Sequence, residues 1–107
     1  MKRCVVGIRH QGGQEIASRG EVIPTIWFTS LASLAAVLSD ENRALLRLIR
    51  DQKPKSLTEL AELSGRKVPN LSRTLRMMSG YGLVVLTKKD RDIQPTALAT
   101  EFIVLLD

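Results

Sequence analysis

The sequence predicts an α+β fold, mainly helical, with a β-hairpin and short terminal strands. Three observations lead there. Between residues 30 and 80, capping and helix-breaking residues cut the chain into short amphipathic runs. From Ser56 to Arg91 the order is helix, turn, helix, strand and basic turn, in the stretch SLTELAELSGRKVPNLSRTLRMMSGYGLVVLTKKDR. Near the two ends lie short apolar, partly β-branched runs, Cys4–Ile8 and Phe102–Leu106.

A chain of 107 residues accommodates one domain with a real core and is too short for two independent ones. With 44% hydrophobic and 25% charged residues, global disorder is not expected, and 4% aromatics means that aliphatic packing dominates the core. The expected division is an N-terminal strand and extended arm over residues 1–29, a helical reading domain over 30–96, and a C-terminal strand over 97–107. Both terminal pieces are candidates for dimer or partner contacts.

Lys2–Arg9 is compatible with a strand, closed by the breaker Gln11-Gly12-Gly13. Gln14–Gly20 has room for a helical turn but little periodicity. Glu21–Phe28 reads as extended, with Pro24 excluding a central-strand role. Val22–Ser39 carries no charge over 18 residues, near the lower limit for a membrane span. Pro24, Thr25, Thr29, Ser30, Ser33 and Ser39 break it into an extended piece and a short helix, so no membrane association is expected.

Ser30 caps that short helix, which sets Leu31, Leu34 and Leu38 on one side and ends near Ser39. Ser39 or Asp40 caps the next, DENRALLRLIRDQ, whose acidic first turn suits the helix dipole. Leu45, Leu48, Ile49 and Gln52 share a face there with Ala44 beside them, and Pro54 terminates it. Ser56-Leu57-Thr58-Glu59 is a capping box. Leu57, Leu60, Ala61 and Ser64 follow at helical spacing, and Gly65 ends that helix because glycine takes the left-handed conformation freely.

The following helix starts at Val68 or Pro69. Val68, Leu71, Leu75 and Met78 form an apolar stripe, and the opposite face centres on Arg73, flanked by Pro69, Asn70, Arg76 and Met77. Gly80-Tyr81-Gly82 breaks it. Leu83–Thr87 reads as a strand, Lys88–Asp92 as a polar turn and Ile93–Thr96 as the return strand, with Pro95 at an edge position. The expected core residues of this region are Leu60, Ala61, Leu71, Leu75, Met78, Leu83 and Val85. The terminal run FIVLL needs a strand partner, supplied by the N-terminal strand, by the same run in a second subunit, or by both.

Charge is unevenly placed. The formal net charge is +5. Between Leu63 and Arg91 stand seven basic residues (Arg66, Lys67, Arg73, Arg76, Lys88, Lys89 and Arg91) against one acidic, Asp90, while the other nine basic and ten acidic residues nearly cancel. The whole excess therefore sits on the helix-turn-helix and hairpin stretch, whose layout is that of a winged helix-turn-helix.

The stretch LTELAELSGRKVPNLSRTLRMMSGYGLVVL resembles the winged helix-turn-helix of MarR- and ArsR-like prokaryotic regulators, especially small MarR-like proteins regarded as regulators or antitoxins. Upstream, ENRALLRLIRDQKPKSLTELAE is similar to the first helix and entry of that group, so the resemblance spans roughly Phe28 to Pro95. It departs at Pro69, where a small polar residue is the rule, and in the long flanking dimerisation helices of full-length MarR proteins. The resemblance implies a sequence-specific repressor that binds double-stranded DNA, and a homodimer is expected because one small reading head makes few contacts while two about a two-fold axis can read a palindrome. The alternative is the antitoxin of a toxin-antitoxin pair, binding a cognate toxin and autoregulating its operon.

Arg73 is then expected to contact a base edge, since a guanidinium can bond two acceptors of guanine. Asn70 either pairs with adenine or caps locally. Arg66, Lys67 and Arg76 suit phosphate, with Ser72 as a helper and Pro69 at the start of the same face. Lys88, Lys89 and Arg91 at the hairpin tip follow the backbone or enter a minor groove.

Catalytic chemistry is not expected: His10 and Cys4 are each the sole residue of their type, and phosphate loops and meaningfully spaced carboxylate pairs are lacking. A buried thiol is the expected state of Cys4. No cofactor or metal is expected. Cys4 cannot form an internal disulfide, and the apolar run it begins stops at Arg9, too short for a signal peptide, so a cytoplasmic location is expected.

Overall fold

The computed structural model describes residues 3–8 and 24–106. The breaker at Gln11-Gly12-Gly13, the helical turn at Gln14–Gly20 and the first part of the Glu21–Phe28 arm lie outside the described residues.

Each helix begins where a side-chain oxygen or a proline sets its first turn. In α1 (Leu31–Val37) the Ser30 hydroxyl accepts from the Ser33 amide at 3.0 Å. In α2 (Asp40–Gln52) Ser39 accepts from the Asn42 amide at 3.2 Å, and Asp40 and Glu41 stand at the positive end of the helix dipole. Pro54 disfavours helical backbone at Lys53, which caps α2 in the left-handed conformation at φ 47°. In α3 (Leu57–Ser64) the Ser56 hydroxyl accepts from the Glu59 amide at 3.0 Å, but the Ser56 amide does not donate back to the Glu59 carboxylate, so only half of the capping box forms. Gly65, at φ 76°, ends α3 as its position predicts.

Helix α4 (Val68–Gly80) leads into the antiparallel hairpin of β3 (Val84–Lys89) and β4 (Asp92–Ala97). The innermost pair is Lys89 with Asp92, leaving a turn of Asp90 and Arg91, with Asp90 at φ 54°. Aspartate tolerates that conformation because its short side chain bonds locally.

The terminal runs meet each other. Strand β1 (Arg3–Ile8) lies between β2 (Ile26–Phe28) and β5 (Glu101–Leu105), parallel to both, in the order β2-β1-β5. Of the partners foreseen for FIVLL, the N-terminal strand is the one present, in the register Cys4 with Phe102 and Val6 with Val104. Gly7 pairs with Trp27, and a Cβ there would come within 2.9 Å of the indole and 3.0 Å of the Pro24 ring, so the close approach of β2 requires glycine.

One apolar core joins the sheet and the helices. Cys4, Val6 and Phe28 belong to the same cluster as Leu34, Leu46, Ile49, Leu60, Leu71, Leu75 and Met78. Phe28 stacks on Tyr81 just after α4, with ring centroids 4.7 Å apart. Arg50 in the last turn of α2 donates to the Thr100 hydroxyl at 3.1 Å, tying α2 to the approach to β5. Among the described residues, no helix is long and apolar enough to cross a membrane.

Several side chains face elsewhere than the sequence pattern predicts. Val84 is buried at 2% exposure and Val85 is out at 43%. The run Leu83–Leu86 is uniformly apolar, so only the phase of the strand decides which valine turns inward. Leu31 and Val68 stand at first helical positions, beyond the surfaces their stripes pack on, and are exposed. Ala61 is only half-buried. In α2 the inner face is Leu45, Leu46 and Ile49, because α3 and β4 both pack on this helix; Leu48 is half-buried and Ala44 and Gln52 are exposed.

Leu75→Ala should cost about 2–5 kcal/mol in urea unfolding, as for other fully buried leucines. Val85→Thr should stay within about 0.5 kcal/mol. Reversed sensitivities would refute the observed strand phase.

Candidate nucleic-acid interface

The basic face that lies opposite the core is built on α4. Leu71, Leu75 and Met78 are fully buried, which fixes the rotation of the helix. Residues about half a turn away must then face out, and Asn70, Arg73 and Arg76 are all exposed. Pro69 is exposed beside them, Ser72 is half-buried, and Met77 packs partly against the core instead of joining the outer face. From Asn70 to Arg76 the face runs about 9 Å along the helix axis.

At the start of α4, Lys67 is the cap residue, with no side-chain hydrogen bond to the first turn. The first helical bond runs from the Leu71 amide to the Lys67 carbonyl at 3.0 Å, so Pro69 forfeits none. The remaining first-turn amides lack intrahelical acceptors, and with Lys67 beside them they favour an anion.

Arg66 is placed by a contact that sequence reasoning missed. Its guanidinium donates to Asn42 Oδ1 at 3.3 Å, and its amide donates to Ser64 Oγ at 3.2 Å. The Asn42 amide group in turn donates to the carbonyls of Val37 at 3.1 Å and Ala36 at 3.5 Å, closing the end of α1. Arg66, Lys67, Asn70, Asn42 and Thr74 line one open hollow of about 590 Å³, with Ser39 and Glu41 completing it. Asn42 reads in sequence only as a first-turn residue of α2. Its second role depends on how the start of α2 meets the α3–α4 turn, which local spacing does not encode.

The remaining predicted residues sit apart from this hollow. Lys88 and Lys89 are the last residues of β3, not part of the turn, so the strand pleat directs them to opposite faces. Arg91 is in the two-residue turn. All three are exposed.

The cations of the described residues differ in their partners, and Arg47, Lys53 and Lys55, outside this surface, lack a carboxylate partner. Arg3 pairs with Glu101, Arg43 with Asp40 and Arg50 with Asp51. The Arg50 guanidinium holds the Asp51 carboxyl below its ordinary range. Among the described residues, Lys67, Arg73, Arg76, Lys88, Lys89 and Arg91 have no such carboxylate partner. Their charge is available to an external anion.

Cys4 is buried on β1, where desolvation pushes its thiol pKa up more than the Thr25 hydrogen bond lowers it. Among the described residues no group of three or more His, Cys, Asp or Glu side chains is placed to hold a metal.

A model of the family described as HVO_A0114 matches residues 37–104, from the end of α1 into β5, a range that contains every residue of the basic surface. None of the curated proteins matches the chain.

The Asn42 junction makes a stability prediction. Asn42→Asp keeps an acceptor for Arg66 but cannot donate to the Ala36 and Val37 carbonyls, and should cost roughly 1 kcal/mol in urea unfolding. A variant as stable as the parent would remove Asn42 from this role.

Proposed function

The chain belongs to the HVO_A0114 family, and from the geometry of its basic face we propose that it is a winged helix-turn-helix regulator that binds double-stranded DNA sequence-specifically. Helices α3 and α4 are the helix-turn-helix, and the β3–β4 hairpin is the wing. The observation that carries this reading is the two-sidedness of α4: Leu71, Leu75 and Met78 are at 0% exposure, while Asn70, Arg73 and Arg76 face solvent.

An α-helix is about 10–12 Å across and the major groove about 12 Å wide, so the exposed face of α4 can enter it. Arg73, at the centre of that face, offers two parallel donors to guanine. Asn70, one turn earlier, offers a donor and an acceptor that match adenine. Arg66, Lys67 and the free amides at the start of α4 bind phosphate, which sets register without reading sequence. Ser72 and Arg76 extend the backbone contact along the helix, and Lys88, Lys89 and Arg91 on the wing reach flanking DNA.

Specific recognition by so small a head gains from a second copy. Two heads about a two-fold axis read half-sites roughly 34 Å apart, one helical turn of DNA. The protein then acts in the cytoplasm as a homodimeric repressor, by occupying promoter DNA, with no chemical step.

The decisive measurement is fluorescence anisotropy on the DNA upstream of the protein's own gene, at several salt concentrations. Arg73→Ala should cost about 1–3 kcal/mol and relax discrimination at one base pair. Lys88→Ala should weaken all sequences alike and lower the salt slope by about one. Salt-insensitive binding that Arg73→Ala leaves unchanged would overturn the proposal in favour of a protein-binding surface.

A further inference from the structure

Strand β5 forms one edge of the three-stranded sheet. In the order β2-β1-β5 its outer side has no strand neighbour among the described residues. Natural edges are blunted by short strands, lysines, prolines or bulges. The other edge follows that rule, because β2 is three residues long and follows closely on Pro24. Strand β5 does not: its sequence is EFIVL, and Val104 and the neighbouring Leu106 are 40% and 58% exposed.

Beside this edge lies an open groove of about 990 Å³, with Leu34, Leu38, Ile103 and Val104 among its apolar lining. Its charged lining carries both signs, Arg3 and Arg43 with Asp40, Glu41 and Glu101. That mixture is ill suited to a polyanion or to a strongly charged peptide of either sign. Arg3 already pairs with Glu101 and Arg43 with Asp40 within the chain, so the groove fits a partner without a dominant charge. A copy of itself, set patch against the same patch by a two-fold axis, is one.

The strand is self-complementary in the same sense. An antiparallel pairing centred on Ile103, its middle residue, sets Phe102 against Val104 and Glu101 against Leu105 of the other copy. Apolar faces apolar at the three central positions, and the two Glu101 carboxylates lie about four residues apart along the ladder, on the order of 14 Å.

We propose that a second copy of this chain adds to β5 edge to edge, antiparallel about a two-fold axis at Ile103, joining the two three-stranded sheets into one of six strands. This names the surface of the homodimer in the DNA-binding reading and rests on that reading only for the usefulness of two heads.

Sedimentation of the full chain without DNA, from nanomolar to micromolar concentration, tests it. The parent should dimerise, and Val104→Lys should raise the dimer dissociation constant at least tenfold while leaving the circular-dichroism melt of the monomer unchanged. A second variant guards against misfolding. Under mild oxidation, Ile103→Cys should give a disulfide-linked dimer, since directly opposed residues of an antiparallel pair have Cα atoms about 4.5–5.5 Å apart, within disulfide reach. Glu101→Cys, opposite Leu105, should not cross-link, and buried Cys4 should remain silent in both. A parent that is monomeric throughout, as when another segment of the chain fills the edge, overturns the proposal. So does a dimer untouched by Val104→Lys, or cross-linking at Glu101→Cys but not at Ile103→Cys. Arg73→Ala should leave the dimer unchanged, so failure here and failure of DNA binding are separate outcomes.

Discussion

The buried stripe of α4 is the constraint on which the rest depends. Leu71, Leu75 and Met78 lie without measurable exposure in one cluster with Leu46 and Leu60. Once those three are in, a helix of 3.6 residues per turn has no freedom left in its rotation, and Asn70, Arg73 and Arg76 are turned outward together. The outer face is thus a by-product of core packing, and residues that never touch solvent control its alignment.

The Asn42 junction holds the ends of two helices and one basic side chain in a single network. Its amide caps the carbonyl end of α1 and its carbonyl oxygen receives Arg66. A long arginine otherwise samples many rotamers, so one fixed hydrogen bond lowers the entropy lost when it meets an anion. The same bond links that surface to the packing of α1, well away in sequence.

Local chemistry made much of the helical part legible. Ser30, Ser39 and Ser56 cap their helices, Gly65 adopts the left-handed conformation, and the residues following Lys67 open α4 where proline permits. Features set by tertiary context were harder. Nothing polar within Leu83–Leu86 marks the strand phase, so Val84 and Val85 are indistinguishable until the hairpin meets the core. The hairpin continues through Lys88 and Lys89 because cross-strand pairing with Ile93 and Asp92 outweighs their polar, turn-like composition. The outer residues Asn70, Arg73 and Arg76 follow from periodicity, whereas Asn42 joins Asn70 and Thr74 around one hollow only through the tertiary approach of the start of α2 to the start of α4.

The parallel sheet has a consequence for how the chain acquires its structure. Its register joins Arg3 to Glu101 and so closes a loop that contains all four helices and the hairpin. The helices and hairpin can form from neighbours in sequence, but β1 must wait until synthesis has passed every helix and the hairpin before β5 exists to receive it. The closure entropy grows only slowly with loop length, so the delay arises more from search and order of synthesis than from final stability. During that interval the apolar β1 strand lacks β5, which makes synthesis the period when this small protein is most exposed to pairing with the wrong chain.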